Sequence, residues 1–200
     1  LNLKESLAGW SNQPADVVVA ALHSADFLSM AKSIRIATEA PLAIITSTPG
    51  EDAHCQLLEK GADLVVQRPY STRLLMAQLR SLIRRTGGVP SFSLPTLSLA
   101  GLTLDPGTRT VHVAGQTERP TRLTHLEFRL LYTLMTHRDQ ILPGEIIVER
   151  VWGYDDRGSR ALVRGLISRL RGKVESDPRN PVYIMTIPGI GYTFRDPAES

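Results

Sequence analysis

Residues 159–195 read SRALVRGLISRLRGKVESDPRNPVYIMTIPGIGYTFR, and this stretch decides the fold predicted for the C-terminal half of the chain. Apolar residues recur at helical spacing in its first part, which predicts an amphipathic helix from about Ser159 to Glu175. Two β-prone runs follow, Val182–Ile187 and Gly191–Arg195, and the Pro188-Gly189 pair between them favours a turn. The chain is therefore predicted to end in a helix followed by a hairpin.

Two further helices are predicted upstream of this stretch. Thr124 and Glu127 have the spacing of a capping box, in which the hydroxyl and the carboxylate each accept a hydrogen bond from a free amide at the helix start. A second helix runs from about Pro143 to Trp152, with proline in its first turn, where a missing amide costs nothing. Trp152 itself is expected to be a core anchor. Three helices followed by a hairpin indicate a winged helix-turn-helix domain.

A small antiparallel sheet is predicted before these helices. Leu97–Leu104 and Thr110–Val113 are β-prone, and Asp105-Pro106-Gly107 between them favours a turn. We therefore assign residues 96–200 to an α+β winged helix-turn-helix domain.

The predicted third helix carries a concentration of positive charge. Between Arg157 and Lys173 the sequence contains six basic residues and no acid. Gly165 and Gly172 lie opposite its apolar face, so the backbone could approach a DNA major groove while arginines reach phosphates or guanine edges. The alternative is a solvated basic face on a core helix. The candidate DNA-binding residues are Arg160, Arg164, Ser168, Arg169, Arg171, Lys173, Thr186 and Gly189.

The N-terminal half alternates short apolar runs with helical patterns. The predicted strands are Val17–Ala21, Leu42–Thr46 and Leu64–Val66, and the predicted helices span residues 25–39, 50–60 and 71–85. Continuous apolar strands separated by helices indicate a parallel sheet covered on both faces. We assign residues 1–85 to this α/β domain and residues 86–95, rich in Gly, Ser and Pro, to a linker.

Composition narrows the possible function classes. The single cysteine, Cys55, excludes a disulfide framework within this chain, and the five histidines lack metal-ligand spacing. No apolar run reaches the ~18 residues that a membrane-spanning helix requires. The formal net charge of +3 indicates an anionic partner only weakly. We expect a cytoplasmic protein that is not an enzyme, binds no cofactor or metal and does not cross a membrane.

Four ordered motifs resemble the effector domain of OmpR/PhoB-type response regulators. They begin at Leu123 (LTHLEF), Val151 (VWGY), Ile167 (ISRLRGK) and Tyr183 (YIMTIPGIGY). The resemblance implies that the third helix reads the major groove of double-stranded DNA and that the hairpin enters the adjacent minor groove. It also implies that one loop contacts RNA polymerase or its sigma subunit. That loop consists of Tyr154, Asp155, Asp156, Arg157 and Gly158.

The N-terminal half resembles the receiver domain of the same family, which has a flavodoxin-like fold. Gly61-Ala62-Asp63 matches the family motif, whereas Arg68-Pro69-Tyr70 stands where Lys-Pro-Phe is usual. The phosphate-accepting aspartate is replaced by Ala21, and the switch hydroxyl is kept as Thr46. Phosphotransfer needs a carboxylate nucleophile, a bound divalent cation and a lysine. The resemblance therefore implies a degenerate phosphorylation site at Ala21, Thr46 and Arg68, and a receiver that acts without phosphorylation.

A complete receiver also has a strand, a helix and a second strand before Val17. The first 13 residues supply only a helical pattern, so we expect the chain to be a fragment of a longer protein. The alternative is a truncated receiver, in which Val17–Ala21 would be an uncovered edge strand.

The face through which the family pairs two receivers has changed its chemistry in this sequence. His54, Leu64, Leu74 and Gln78 occupy positions where the family has Lys, Asp, Glu and Arg. We expect Leu64 and Leu74 to be exposed and to hold a homodimer together by apolar burial. The alternative is that both leucines pack within their own domain, because one residue of misalignment turns a strand side chain inward.

Three functions remain open at the level of the sequence. The leading hypothesis is a sequence-specific DNA-binding transcriptional regulator that is independent of phosphorylation and dimerises through its receiver-like half. The second is a conventional phosphorelay response regulator, which Ala21 opposes. The third is a protein-interaction module whose basic helix does not bind DNA.

Overall fold

The structure is a computed structural model that describes residues 15–23, 26–47, 50–86, 94–115, 119–153 and 160–196. Within this part of the chain, no helix is long and apolar enough to span a lipid bilayer.

Three parallel strands and three helices make up the receiver-like half, which we define as the described residues up to 86. The strands are β1 (Val18–Leu22), β2 (Leu42–Thr46) and β3 (Leu64–Gln67), and the helices are α1 (Phe27–Ala37), α2 (Glu51–Glu59) and α3 (Thr72–Thr86). The strand order is β1-β2-β3. The central strand, β2, is buried along its whole length. The α/β receiver-like fold is confirmed, and every element lies within two residues of its predicted bounds.

Strand β1 lies at one edge of this sheet in the described part of the chain, where it pairs only with β2. Val19, the second residue of this strand, is 45% exposed.

The winged-helix half, which comprises the described residues from 94 onward, begins with a four-stranded antiparallel sheet. Its strands are β4 (Leu97–Leu99), β5 (Leu102–Asp105), β6 (Thr110–Val113) and β7 (Thr121–Arg122). The prediction of one continuous strand from Leu97 to Leu104 is wrong. Ala100 and Gly101 adopt φ angles of 57° and 79°, which fold this run into a tight hairpin.

Three helices and a second small sheet complete this half. They are α4 (His125–Thr136), α5 (Gly144–Val151), α6 (Arg160–Val174), β8 (Leu142–Pro143), β9 (Ile184–Ile187) and β10 (Gly191–Phe194). The strand order is β8-β10-β9, so the predicted hairpin is extended by a short strand that the sequence pattern did not indicate. Pro143 stands just before the first residue of α5 rather than inside its first turn.

The capping box at the start of α4 is confirmed. The Glu127 amide donates to Thr124 Oγ1 at 3.3 Å, and the Thr124 amide donates to Glu127 Oε2 at 2.9 Å. Both side chains are buried, so these bonds satisfy amides that water does not reach.

Helix α6 is shared by the two halves of the molecule. It packs on α4 and α5 of its own half and along α2 of the receiver-like half. Leu166, Leu170 and Val174 are completely buried, as is Trp152 at the end of α5, so the expectation that Trp152 is a core anchor is confirmed. One face of α6 is therefore covered by α2 of the receiver-like half.

Candidate nucleic-acid interface

One row of α6 is open to solvent. Arg160, Arg164, Ser168 and Gly172 follow one another at intervals of four residues and are all exposed, as expected for side chains on one helix face. Neither arginine makes an ion pair with another residue in the described part of the chain. We call this set the exposed row.

The exposed row borders a groove between α6 and the hairpin of β9 and β10, which we call the wing. The groove has a volume of about 360 Å³, and its lining includes Arg160, Arg164, Thr186, Gly189 and Tyr192. Gly189 adopts a φ of 75°, which glycine tolerates without strain, and it forms the turn of the wing. Four of the predicted DNA-binding residues therefore surround one groove.

Arg171 does not lie at the open surface where the sequence analysis placed it. Its Nε donates to the Ile184 carbonyl at 3.0 Å, and its Nη2 donates to Thr186 Oγ1 at 2.8 Å. Burial lowers the pKa of Arg171 from its ordinary value. The guanidinium turns to β9 because α6 runs beside that strand, so Arg171 joins the helix to the wing.

Lys173 also turns away from the surface. Its Nζ lies 2.7 Å from Glu127 Oε2 and 2.9 Å from the Arg122 carbonyl oxygen. The Glu127 side chain is only 2% exposed. Burial alone would raise the pKa of Glu127, but the charges of Lys173 and Arg169 outweigh it and the pKa is lowered. Lys173 is thus the counter-ion of a buried carboxylate.

Arg169 faces the receiver-like half and is only 10% exposed, so the expectation that it lies at a free surface is wrong for this arrangement. Its Nη2 donates to Asp63 Oδ1 at 2.6 Å, and its Nη1 donates to the carbonyls of Ala62, at 2.8 Å, and Leu58. These acceptors lie more than 100 residues away in the chain. No local sequence signal connects them with Arg169.

Gly165 is likewise covered rather than open. A Cβ atom at this position would lie 2.8 Å from Leu58 Cβ and 3.0 Å from the Leu58 carbonyl carbon. The small residue therefore permits a close approach of α2 rather than the approach to a DNA groove that was predicted from the sequence. Gly172 meets nothing within 4 Å.

The predicted polymerase-contact loop, Tyr154, Asp155, Asp156, Arg157 and Gly158, lies outside the described residues.

The three residues of the predicted degenerate phosphorylation site lie at the same end of the receiver-like sheet. Ala21 is the last but one residue of β1, Thr46 is the last residue of β2, and Arg68 directly follows β3. Ala21 is exposed, Thr46 is buried, and Arg68 stands over the ring of Tyr70 at 5.8 Å from its centroid. The Ala21 side chain is a methyl group, which cannot accept a phosphoryl group.

The predicted dimer face is only partly exposed. Leu64 is 3% exposed, so the expectation that it contributes to an apolar surface is wrong; its side chain is turned into the core of the receiver-like half. Leu74 on α3 is 59% exposed, as expected. His54 and Gln78 are half-buried, and burial lowers the pKa of His54.

The chain is similar to known proteins in sequence and in fold. A family model described as "Transcriptional regulatory protein, C terminal" matches residues 118–194. Structures of two point mutants of RitR are similar in fold over 96% of this chain and 84% of theirs, with identities of 20% and 22% and TM-scores of 0.69 and 0.72.

A further similar structure is the DNA-binding domain of RstA from Klebsiella pneumoniae in complex with the RstA box. It is 31% identical over 52% of this chain and 99% of that one, with a TM-score of 0.46. The family match thus assigns the winged-helix half to the OmpR/PhoB-type DNA-binding domains of transcriptional regulatory proteins, and the fold of the whole chain is similar to that of RitR.

Proposed function

We propose that this chain is a sequence-specific transcriptional regulator that binds double-stranded DNA through the exposed row of α6 and the wing. The observation that carries the proposal is the pair Arg160 and Arg164, exposed beside the groove that the wing borders. Guanidinium groups bind phosphates and guanine edges in two-point contacts. A DNA major groove is about 12 Å wide and admits a helix, while a hairpin beside that helix can contact the backbone.

The test begins with selection of bound sites from random duplex DNA by the whole chain. Arg164→Ala and Arg160→Ala are then compared with the wild type on the selected site and on a scrambled duplex at several salt concentrations. Losing a phosphate contact weakens both duplexes alike and reduces the salt slope by about 1, whereas losing a base contact costs roughly 1 to 3 kcal/mol on the selected site alone.

Arg73→Ala is the matched control, because Arg73 is an exposed arginine on α3 of the receiver-like half. Binding that is equally strong in both α6 variants and in this control would contradict the proposed surface. Binding without any salt dependence would favour the alternative of a protein-interaction module.

We further propose that the regulator acts without phosphorylation. Ala21 supports this, because its methyl group cannot accept a phosphoryl group. The protein incubated with a small-molecule phosphodonor and magnesium should keep its mass. A phosphoryl adduct mapped to the receiver-like half would overturn the proposal and restore a conventional response regulator.

We also propose that the protein forms a homodimer through the receiver-like half. The proposal now depends on Leu74 alone of the two leucines, because Leu64 is buried. Leu74 is the exposed leucine of the predicted face and can bury apolar surface against a second copy. Sedimentation should show that Leu74→Asp weakens a wild-type dimer. Ile36→Asp is the control, since Ile36 is 78% exposed on α1. An unchanged dimer in the Leu74 variant would exclude this face.

One partner and the cellular location of the protein are also proposed. We propose that residues 154–158 contact RNA polymerase or its sigma subunit, and that the protein works in the cytoplasm. Deletion of these residues should abolish activation of a reporter gene while leaving DNA binding intact. Equal reporter output from both forms would exclude the polymerase contact.

A further inference from the structure

The end of the wing carries an exposed apolar side chain beside the candidate DNA interface. Pro188, Gly189 and Ile190, which we call the tip, are all exposed, and Ile190 is 57% exposed. Ile190 also lines the same groove as Arg160 and Arg164. A large apolar side chain therefore lies next to the two arginines that the proposed function assigns to DNA.

The chemistry of the tip excludes polar side-chain contacts with DNA. None of its three side chains can donate or accept a hydrogen bond, and none carries a charge. Binding to the DNA backbone depends on arginine, lysine and polar donors. The side chains of the tip can therefore contact a duplex only through apolar surface.

The backbone of the tip forms a tight turn. The Ile190 amide donates to the Ile187 carbonyl at 3.0 Å, which places Pro188 and Gly189 at the two central positions. Proline fixes its own φ, and Gly189 has a φ of 75°, a combination typical of a type II turn. The backbone position of Ile190 is therefore well defined.

Strand β8 supports the wing directly after the tip. Gly191 pairs with Ile187 of β9 and with Pro143 of β8, so the residue next to Ile190 is bound on both sides. A Cβ atom at Gly191 would lie 2.1 Å from the Leu142 carbonyl oxygen, because the two strands approach so closely. This support resists displacement of the tip when it presses on a partner.

Helix α6 holds the other strand of the wing. The buried Glu175 carboxylate accepts hydrogen bonds from the three successive amides of residues 182–184, at distances from 2.8 to 3.3 Å. Arg171 donates to the Ile184 carbonyl and to Thr186 Oγ1. The wing and α6 therefore approach DNA as one unit.

A firmly held apolar side chain can enter the stack of base pairs. Isoleucine is among the side chains that proteins insert between base pairs from the minor groove. Partial unstacking is unfavourable for the duplex, so a flexible tip would fold away instead of entering. Here the wing is held by β8 and α6, and contacts of Arg160 and Arg164 with phosphates offset the cost of unstacking.

Resting on the proposed function, we infer that Ile190 is a wedge that partly unstacks one base step of the bound DNA. When α6 faces the major groove, the wing beside it meets the neighbouring minor groove. Insertion bends the duplex by about 20 to 90° toward the major groove. TA and CA steps unstack most easily, so the protein prefers them at a position where no side chain reads a base edge.

The experiment measures bending and unstacking separately, with the whole chain and a site selected from random duplex DNA. Energy transfer between dyes at the two ends of the duplex reports the bend. 2-Aminopurine, placed in turn at each adenine of the site, reports unstacking by a rise in its fluorescence. The wild type should bend the duplex by at least about 20° and raise the fluorescence at one step.

Substitutions of Ile190 test whether this residue is the wedge. Ile190→Ala should leave the duplex nearly straight and abolish the rise in fluorescence. Ile190→Met should keep both signals, because methionine also acts as a wedge. Ile141→Ala is the matched control, since Ile141 is 43% exposed in the same half and does not line the groove. It should keep the wild-type bend and fluorescence.

The dependence on DNA sequence and on salt gives a further readout. Changing the unstacked step to GA should weaken wild-type binding by roughly 5- to 150-fold, the usual effect of one altered base pair, and should hardly affect Ile190→Ala. The salt slope of Ile190→Ala should equal that of the wild type, because the substitution removes no charge. Loss of a phosphate contact at Arg160 or Arg164 reduces this slope.

The outcomes distinguish the wedge from the proposed function. If the wild type binds its selected site without bending or unstacking it, or if Ile190→Ala matches Ile141→Ala in both signals, the wedge is wrong while the proposed function stands. If the wild type selects no site from random DNA, the proposed function is wrong, and the inference fails with it.

Discussion

Replacing Lys173 by methionine separates a structural role from a DNA-contact role. The side chain keeps its length but loses a bond to Glu127 Oε2 at 2.7 Å and one to the Arg122 carbonyl at 2.9 Å. Glu127 then remains buried with only the Thr124 amide and the more distant Arg169 Nε, at 3.7 Å, near its carboxylate. A carboxylate that loses its main counter-ion in the interior destabilises the fold.

The size of the effect follows from the exposure of the two partners. Hydrogen bonds to charged groups contribute about 1.5 to 3 kcal/mol net, and breaking a fully buried pair costs about 3 to 5 kcal/mol. Lys173 is 31% exposed, so we expect a loss of about 2 kcal/mol. For a chain of this size that corresponds to a fall in Tm of roughly 4 to 8 °C.

The pH dependence of the stability loss shows whether it comes from the ion pair between Lys173 and Glu127. Because the pKa of Glu127 is lowered in the fold from its ordinary value of 4.5, its ionised form contributes stability that is complete above pH 4.5, and this contribution is lost as the pH falls through the folded-state pKa. Thermal unfolding of wild type and Lys173→Met should therefore differ most near pH 7 and converge in acid. Lys32→Met, which removes an exposed lysine of α1, should leave Tm unchanged. An unchanged Tm for Lys173→Met together with a smaller DNA salt slope would refute the reasoning and restore Lys173 as a phosphate contact.

Three further predictions concern the winged-helix half. Partial burial, followed by three nearby arginine charges, lowers the pKa of His125 to about 4, so its ring NMR signals should not titrate between pH 8 and 5; a midpoint near 6.5 would contradict its half-buried position beside these arginines. Neutral His125 then contributes stability that is complete above pH 6.5 and is lost between about pH 6.5 and 4 on acidification. Thr124→Ala should cost about 1 kcal/mol in denaturant unfolding, and no loss would argue against the capping box. Gly191→Ala should strongly destabilise the fold, because the added Cβ would lie 2.1 Å from the Leu142 carbonyl oxygen. Gly144→Ala is the control, since its added Cβ meets nothing within 4 Å. Equal denaturant midpoints for the two variants would contradict the pairing of β8 with β10.

Local sequence patterns predicted most helices and strands of this fold. They could not predict contacts between segments that are distant in the chain. The apolar run of β2 and the Thr124–Glu127 spacing depend on neighbours in the chain, so both were predictable. The hairpin at Ala100-Gly101 depends on backbone angles that an alanine rarely adopts, and no residue pattern revealed it. Leu64 was predicted to be exposed but is buried. Successive side chains of a strand point to opposite faces, so an alignment error of one residue exchanges a surface position for a core position.

The candidate site was predictable in part for a similar reason. Exposure of Arg160 and Arg164 follows from the position of the apolar face on α6, which the sequence displays. The partners of Arg169 cannot be predicted in this way, because Asp63 contacts Arg169 only when both halves are folded and packed together. Basic charge on a helix therefore predicted a binding surface, but not which of its arginines already had a partner.

The bond between Arg169 and Asp63 also limits how the DNA preference of this chain can change in evolution. Substituting Arg169 removes three donors from acceptors that are otherwise shielded from water, so each such change carries a loss of stability before any effect on DNA. Arg160, Arg164 and Ser168 are exposed and have no such tie, and substitutions there leave the fold intact. Divergence in operator preference among descendants of this protein should therefore accumulate at these three positions, while Arg169 and Asp63 change together or not at all.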